Sequence, residues 1–159
     1  GSMPGEKMIR TERMVSERGR TAGDAAVEGL LAGVGAGIAM SIILVVAGVL
    51  AGKEPASTLA HFDPAGSAAP VTGALIHLGV SAVYGLLFGV LHRLIGRGRL
   101  TGQPAGVLLG LAYGLALLFV AQGLTLTGAG APLREIPALH LAAAHLVYGV
   151  VLGWLVARR

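Results

Sequence analysis

The sequence predicts an all-α fold: an integral membrane, antiparallel four-helix bundle built from two duplicated helical hairpins. Three observations predict it. Hydrophobic residues make up 54% of the chain and charged residues 13%, whereas soluble domains carry about 25% charged residues. Four apolar stretches are each long enough to cross a hydrocarbon core, which takes about 20 residues. Glycine patterns in the first two stretches also recur in the last two.

The four predicted spans cover residues 25–51, 71–91, 105–127 and 137–157, within one transmembrane domain, 24–159. The polar sequence from Thr21 to Asp24 is typical of a helix N-cap and precedes the first span. A proline stands at or just before each of the other starts, where a helix loses no internal hydrogen bond to it. The prolines are Pro70, Pro104 and Pro137.

A polar arm, residues 1–23, precedes the spans, and its first three residues are typical of an expression scar. The arm mixes both charge signs with apolar residues such as Met14 and Val15. This composition fits either a short helix lying on anionic lipid or a solvated tail.

Ten of the twelve basic residues fall in the arm, in the loop after the second span, or at the C-terminus. With four spans these regions share one side, and the positive-inside rule identifies that side as the cytoplasm. We therefore expect a multi-pass protein of the bacterial inner membrane with both termini cytoplasmic. The expected partner is the lipid bilayer, with a homodimer or a larger membrane complex as further options and no nucleic acid.

A repeat relates the two halves of the chain. Span one has glycine at every fourth position of residues 29–37, and span three has the same ladder 77 positions later, in residues 106–114. Spans two and four share the pattern Tyr-Gly-x3-Gly in residues 84–89 and 148–153, displaced by 64 positions. The pattern indicates two parallel copies of one helical hairpin. Glycine rows are typical of faces on which helices pack closely in lipid.

Polar side chains inside a membrane are costly, which makes them candidates for function. The candidate ligand-binding residues are His77, Ser81, Tyr84, Tyr113, Gln122, His145 and Tyr148. At about 1.5 Å per residue, His77 and His145 lie at similar depth in the outer half of spans two and four. Two imidazoles at one level can ligate a transition metal or a haem, and His140 is the candidate third ligand. The alternative is that each side chain bonds a neighbouring helix and only packs.

The first outer loop contains His61 and Asp63, which fit either ligands at the outer surface or a turn at Asp63-Pro64. In the second outer loop, the adjacent Arg134 and Glu135 indicate a solvated pair. The absence of cysteine excludes disulfides and thiolate sites. No hydrolase, zincin, P-loop or dinucleotide motif occurs, so we predict no catalytic residues.

Three stretches carry a family resemblance: KEPASTLAHFDP at 53–64, HLGVSAVYGLLFG at 77–89 and HLVYGVVLG at 145–153. They resemble stretches of small, uncharacterised bacterial membrane proteins with four spans. The resemblance covers most of the chain after residue 24. It implies the four-span topology and brings no activity or substrate with it.

These observations favour a membrane protein with an outward-facing histidine pocket that binds a metal ion or haem, as an accessory subunit of a membrane complex. One alternative is an oligomeric channel or transporter for a small solute or ion, with the tyrosines and histidines along its path. A second alternative is a purely structural membrane subunit.

Overall fold

The structure, a computed structural model, describes residues 21–96, 102–127 and 131–158. Within these ranges it has five α-helices, one 3₁₀ helix and no strand. The α-helices are α1 (Ala22–Leu50), α2 (Pro55–Ala60), α3 (Pro70–Gly96), α4 (Gln103–Leu126) and α5 (Ala138–Ala157), and the 3₁₀ helix is Ala131–Glu135. The predicted all-helical fold is confirmed. Residues 1–20 of the predicted arm and most of the basic middle loop, residues 97–101, lie outside the described residues.

Local sequence accounts for the helix starts. The Thr21 side chain caps α1 by accepting a hydrogen bond from the Asp24 amide at 3.1 Å, and the Asp24 carboxylate accepts one from the Thr21 amide at 2.8 Å. This reciprocal capping box satisfies two amides that the helix itself leaves unpaired. Pro70 begins α3, Pro104 lies in the first turn of α4, and Pro137 is the N-cap of α5.

Four long helices pack together, and each is long and apolar enough to cross a membrane. Their contacts place them in the order α3, α1, α5, α4. The two helices that follow one another in the chain, α3 and α4, make few contacts, so a gap separates them over much of their length. Small and large side chains fill the centre, among them Ala32, Ala36, Phe88, Ala144 and Leu152, all of which are buried.

Glycines bring the backbones of the hairpin helices into direct contact. A Cβ at Gly29 of α1 would overlap the carbonyl oxygen of Gly85 and lie 2.8 Å from the Cα of Gly89 on α3. A Cβ added to a glycine of α4 would meet the same kind of obstacle on α5. At Gly110 it would overlap the carbonyl oxygen of Gly149 and lie 2.8 Å from the Cα of Gly153. Only glycine permits this approach.

These contacts differ in register from the glycine ladder in the sequence. Gly29 is equivalent by its contacts to Gly110, a displacement of 81 positions, because their partners Gly85 and Gly149 are displaced by 64. The ladder alone pairs Gly29 with Gly106, a displacement of 77. The difference is four residues, about one helical turn, and a run of equally spaced glycines looks the same after such a shift.

The faces that point away from neighbouring helices are also apolar. Val27, Leu31, Leu108 and Phe119 expose 59%, 55%, 67% and 75% of their surface, and many other large apolar side chains are exposed on the long helices. A long helix that is apolar all round is typical of a protein core or of a membrane span.

Contacts between α2 and the 3₁₀ helix join the two loops at one end of the bundle. The His61 Nε2 lies 2.7 Å from Oε2 of Glu135, and its Nδ1 lies 2.5 Å from the carbonyl oxygen of Ser57. Both partners are acceptors, so both contacts form together only when the ring carries two N–H groups. The Lys53 Nζ donates to the Glu135 carbonyl oxygen at 3.1 Å, and the Arg134 Nε to that of Thr125 at 2.7 Å.

Asp63 holds the turn after α2. The side chain is 2% exposed and accepts hydrogen bonds from the Ala65 amide at 2.9 Å and from the Ser67 amide and hydroxyl. The Ser67 side chain and then the Ala65 amide lower the pKa of this carboxyl below its ordinary 3.8. Asp63 therefore stabilises the turn. Its neighbour His61 bonds to Glu135, so His61 and Asp63 do not form a shared site.

We expect Gly85→Ala to destabilise the protein by about 1–3 kcal/mol, the usual cost of overpacking. Its Cβ would overlap the Gly29 carbonyl and lie 2.7 Å from the Gly33 backbone nitrogen. The free energy of unfolding can be measured by denaturant titration in micelles. Gly79→Ala on the same helix is the matched control, because no atom lies within 4 Å of its added Cβ. Equal effects of the two substitutions would contradict the contact.

The His61 hydrogen bond and charge lower the pKa of Glu135 below its ordinary 4.5. A depressed carboxyl pKa gives stability that is present above the ordinary value and lost as the pH falls through the lowered one. We therefore expect Glu135→Gln to be less stable than the unsubstituted protein at pH 6, with the difference shrinking towards pH 3. Thermal unfolding followed by circular dichroism measures it. Glu54→Gln, in the first outer loop at the start of α2, is the control; a Glu135→Gln difference independent of pH would refute this account.

Candidate functional site

A cavity of about 160 Å³ lies between the long helices, in the half of the bundle nearest α2. Its wall is mostly apolar, with side chains from all four long helices, from the turn after α2 and from the 3₁₀ helix. Five of the seven predicted ligand-binding residues line it. They are His77, Ser81, Tyr84, His145 and Tyr148. The structure thus brings together the polar groups of spans two and four.

Backbone carbonyls orient the two histidines of the cavity. The Nδ1 of His145 lies 2.8 Å from the Leu141 carbonyl oxygen, one turn earlier on α5. The Nε2 of His77 lies 3.3 Å from the Gly37 carbonyl oxygen of α1, across the helix contact. Phe62 stacks on the His77 ring, with centroids 4.4 Å apart and planes inclined by 23°. Each imidazole is therefore held in place and borders the same open space.

Two tyrosine hydroxyls join helices on the inner side of the cavity. The Tyr148 hydroxyl donates to the Ser81 carbonyl oxygen at 2.7 Å, which links α5 to α3. The Tyr113 hydroxyl donates to the Tyr84 carbonyl oxygen at 2.9 Å, which links α4 to α3, and its ring packs on Phe88 at 5.2 Å. Inside an apolar bundle an unpaired hydroxyl is costly, and these two bonds satisfy both groups. Tyr113 is thus a tie between helices and does not line the cavity.

Two further predicted residues lie elsewhere. Gln122 is partly exposed on α4 and does not line the cavity, and its backbone carbonyl accepts the Thr125 hydroxyl at 2.7 Å. His140 borders a smaller recess beside His61 and Thr58 at the loop end. Among the described residues, no group of three His, Asp or Glu side chains is placed to hold a metal ion. The structure therefore brings His77 and His145 together without His140.

The cavity opens sideways. Phe62 and Leu133, from the two loops, cover the end at which the predicted pocket would open. The most exposed lining residues instead flank the gap between α3 and α4: Val80 at 48%, Val120 at 46% and Leu124 at 45%. The gap is spanned further in by the Tyr113 hydrogen bond. Access to the cavity therefore runs between two apolar helix faces.

Sequence reasoning did not assign the apolar wall or the cover of the cavity. Met40 and Leu44 of α1, together with Phe62 and Leu133, line it without any motif of their own. A signal for Phe62 was available, because an aromatic side chain beside the polar pair His61 and Asp63 stands out in a chain with 4% aromatic residues. Apolar residues in apolar helices give no comparable signal.

Comparison with known proteins gives a family and no function. Residues 23–159 match the model described as "Family of unknown function (DUF6789)". No curated protein matches the sequence, and no solved structure matches it either. The predicted resemblance to an uncharacterised family is confirmed at this level, while the bacterial origin of its members stays a prediction.

Proposed function

Because the chain belongs to the family of unknown function DUF6789, its own cavity is the best guide to its role, and we propose that it is an integral membrane protein that binds a small, largely apolar molecule there. The observation that carries the proposal is one cavity of about 160 Å³ with an apolar wall and two fixed imidazoles. Apolar pockets with a few convergent polar groups are the usual form of small-molecule sites.

The membrane assignment is supported by the helices themselves. Each of the four long helices has the length and hydropathy of a span, and their exposed faces carry large apolar side chains that water would disfavour. Trp154, with the Arg158 guanidinium 4.6 Å from its ring centroid, lies at the opposite end from α2. Trp and Arg at a helix end are typical anchors at a membrane interface.

We further propose that both termini lie in the cytoplasm of the bacterial cell, with the inner membrane as the site of residence. The distribution of ten of the twelve basic residues supports this orientation. The cavity then lies in the outer half of the bilayer. The equivalent glycine contacts of the two hairpins support an origin by duplication, with Gly29 matched to Gly110 and Gly85 to Gly149.

Binding of an apolar probe tests the proposal. We expect toluene to stabilise the protein by about 1.4 kcal/mol when its free concentration is ten times its dissociation constant. Ala121→Phe, which introduces a ring at the cavity wall, should abolish the gain. Denaturant titration in micelles, with and without toluene, measures both.

Ala116→Phe is the matched control, because Ala116 is exposed on the same helix and does not line the cavity. It adds the same ring and should keep the stabilisation, which separates binding in the cavity from effects of toluene on the micelle. Equal stabilisation of both variants by toluene would remove the proposed site.

A transition-metal ion is the second candidate for the same cavity. Histidines that bind metals usually donate their other ring N–H to a carbonyl or carboxylate, and both His77 and His145 face a backbone carbonyl in this way. Elemental analysis of purified protein should then give stoichiometric metal, lost in the double variant His77→Ala, His145→Ala. Protein that stays metal-free after dialysis against Zn²⁺ would exclude a transition-metal ion as the ligand. Haem stays a prediction, and a porphyrin needs more room than this cavity encloses.

A further inference from the structure

We infer that the ligand is a lipophilic phenol or similar ring alcohol, with a single hydroxylated ring in the cavity and an alkyl tail that leaves between α3 and α4. The inference rests on the proposed binding function and names the chemical class of the ligand. Three features of the cavity support it: its size, the hydrogen-bonding state of its histidines and its sideways opening.

The size of the cavity selects a small head group. Its volume is about 160 Å³, close to the roughly 150 Å³ of an apolar protein cavity known to hold benzene. One six-membered ring therefore fits. The wall beside the ring position is apolar, with Met40, Leu44 and Leu117 among its members, and such a wall favours a ring face over a charged group.

The histidines of the cavity offer acceptors. An uncharged imidazole has one N–H, and in each ring a backbone carbonyl takes it: Gly37 bonds Nε2 of His77, and Leu141 bonds Nδ1 of His145. The remaining nitrogens, Nδ1 of His77 and Nε2 of His145, have no hydrogen-bond partner within the described residues. A second proton on either ring would place a charge in an apolar cavity, which is costly. Each remaining nitrogen can therefore accept a hydrogen bond from a ligand.

The two tyrosines that join helices beside the cavity do not supply such a donor. The hydroxyls of Tyr113 and Tyr148 already donate to carbonyl oxygens of α3. A ligand hydroxyl can donate to one of the imidazole nitrogens and still accept a bond from a neighbouring hydroxyl such as that of Tyr84 or Ser81. A ligand with a carbonyl or ether oxygen alone would leave both imidazoles unpaired.

The opening selects a lipophilic tail. Val80, Val120 and Leu124 flank the gap between α3 and α4 and are each nearly half exposed. In the proposed membrane orientation this gap faces lipid. A molecule whose ring occupies the cavity can extend an alkyl chain through the gap, where the chain stays in hydrocarbon. Phe62 and Leu133 cover the end nearest water, so a ligand held in the bilayer has the shorter route.

Three probes test the ligand class: 4-octylphenol, its methyl ether 4-octylanisole, and unsubstituted phenol. Titration calorimetry with the protein in lipid nanodiscs, corrected with empty nanodiscs, gives each dissociation constant. We expect 4-octylphenol to bind at least tenfold more tightly than the ether, because the ether carries no donor and leaves buried acceptors unpaired. Phenol should bind more weakly still, because it lacks the tail.

Variants of the cavity histidines test whether these side chains cause the preference for 4-octylphenol over its ether. The double variant His77→Leu, His145→Leu removes both acceptors and should abolish the tenfold difference between 4-octylphenol and 4-octylanisole. The double variant His77→Gln, His145→Gln retains acceptor oxygens and should keep most of the difference. His92→Leu, on α3 outside the cavity wall, should behave like the unsubstituted protein. Equal stability of the variants confirms that they fold.

The outcomes separate this inference from the proposed function. Equal affinity for 4-octylphenol and 4-octylanisole, with toluene still binding, would overturn the donor requirement and leave the cavity as a binding site. Phenol that binds as tightly as 4-octylphenol would overturn the role of the tail and of the gap. Failure of every probe, toluene included, would overturn the proposed function itself.

Discussion

Direct backbone contact between glycines is the constraint on which the rest of this structure depends. Gly29 and Gly33 of α1 face Gly85 and Gly89 of α3, and a side chain at any of these positions would overlap the opposing backbone. The same contact joins α4 to α5. In the proposed membrane setting, transfer from solvent gives apolar helices little driving force to associate, so close packing has to supply the attraction. The helices of each hairpin are therefore tightly joined, and small and large side chains fill the space between the two hairpins.

The cavity arises where this close contact ends. The last glycine of α1 that contacts α3, Gly37, faces the Ser81 side chain instead of another glycine. Beyond it α1 presents Met40 and Leu44, and α3 presents His77, all of which line the cavity. Because α3 and α4 barely touch, the space stays open on one side. A cavity thus follows from two closely paired hairpins that do not close into a complete ring.

Backbone carbonyls hold four polar side chains in and beside this space: His77, His145, Tyr113 and Tyr148. The carbonyls of α3 that accept the tyrosine hydroxyls, and the carbonyls that hold His77 and His145, belong to helices whose own hydrogen bonds leave a second lone pair available. This arrangement explains why strongly polar side chains persist among apolar neighbours. It also fixes which nitrogen of each imidazole remains without a carbonyl partner, and the proposed ligand class depends on that nitrogen.

The sequence by itself determined the four apolar helices, their starts at Thr21 and the prolines, and the importance of small residues on facing surfaces, because composition and capping are local properties. It also identified five of the residues that line the cavity, since a polar side chain in an apolar span is conspicuous wherever it lies. Tertiary structure decided the rest. A glycine row repeats every four residues, so only contact could distinguish a displacement of 81 from one of 77. The order of the helices in the bundle decides the partners of Tyr113 and Glu135, the position of Phe62 over the cavity and the sideways gap. Because all four long helices are similarly apolar, their sequences do not predict which of them are neighbours.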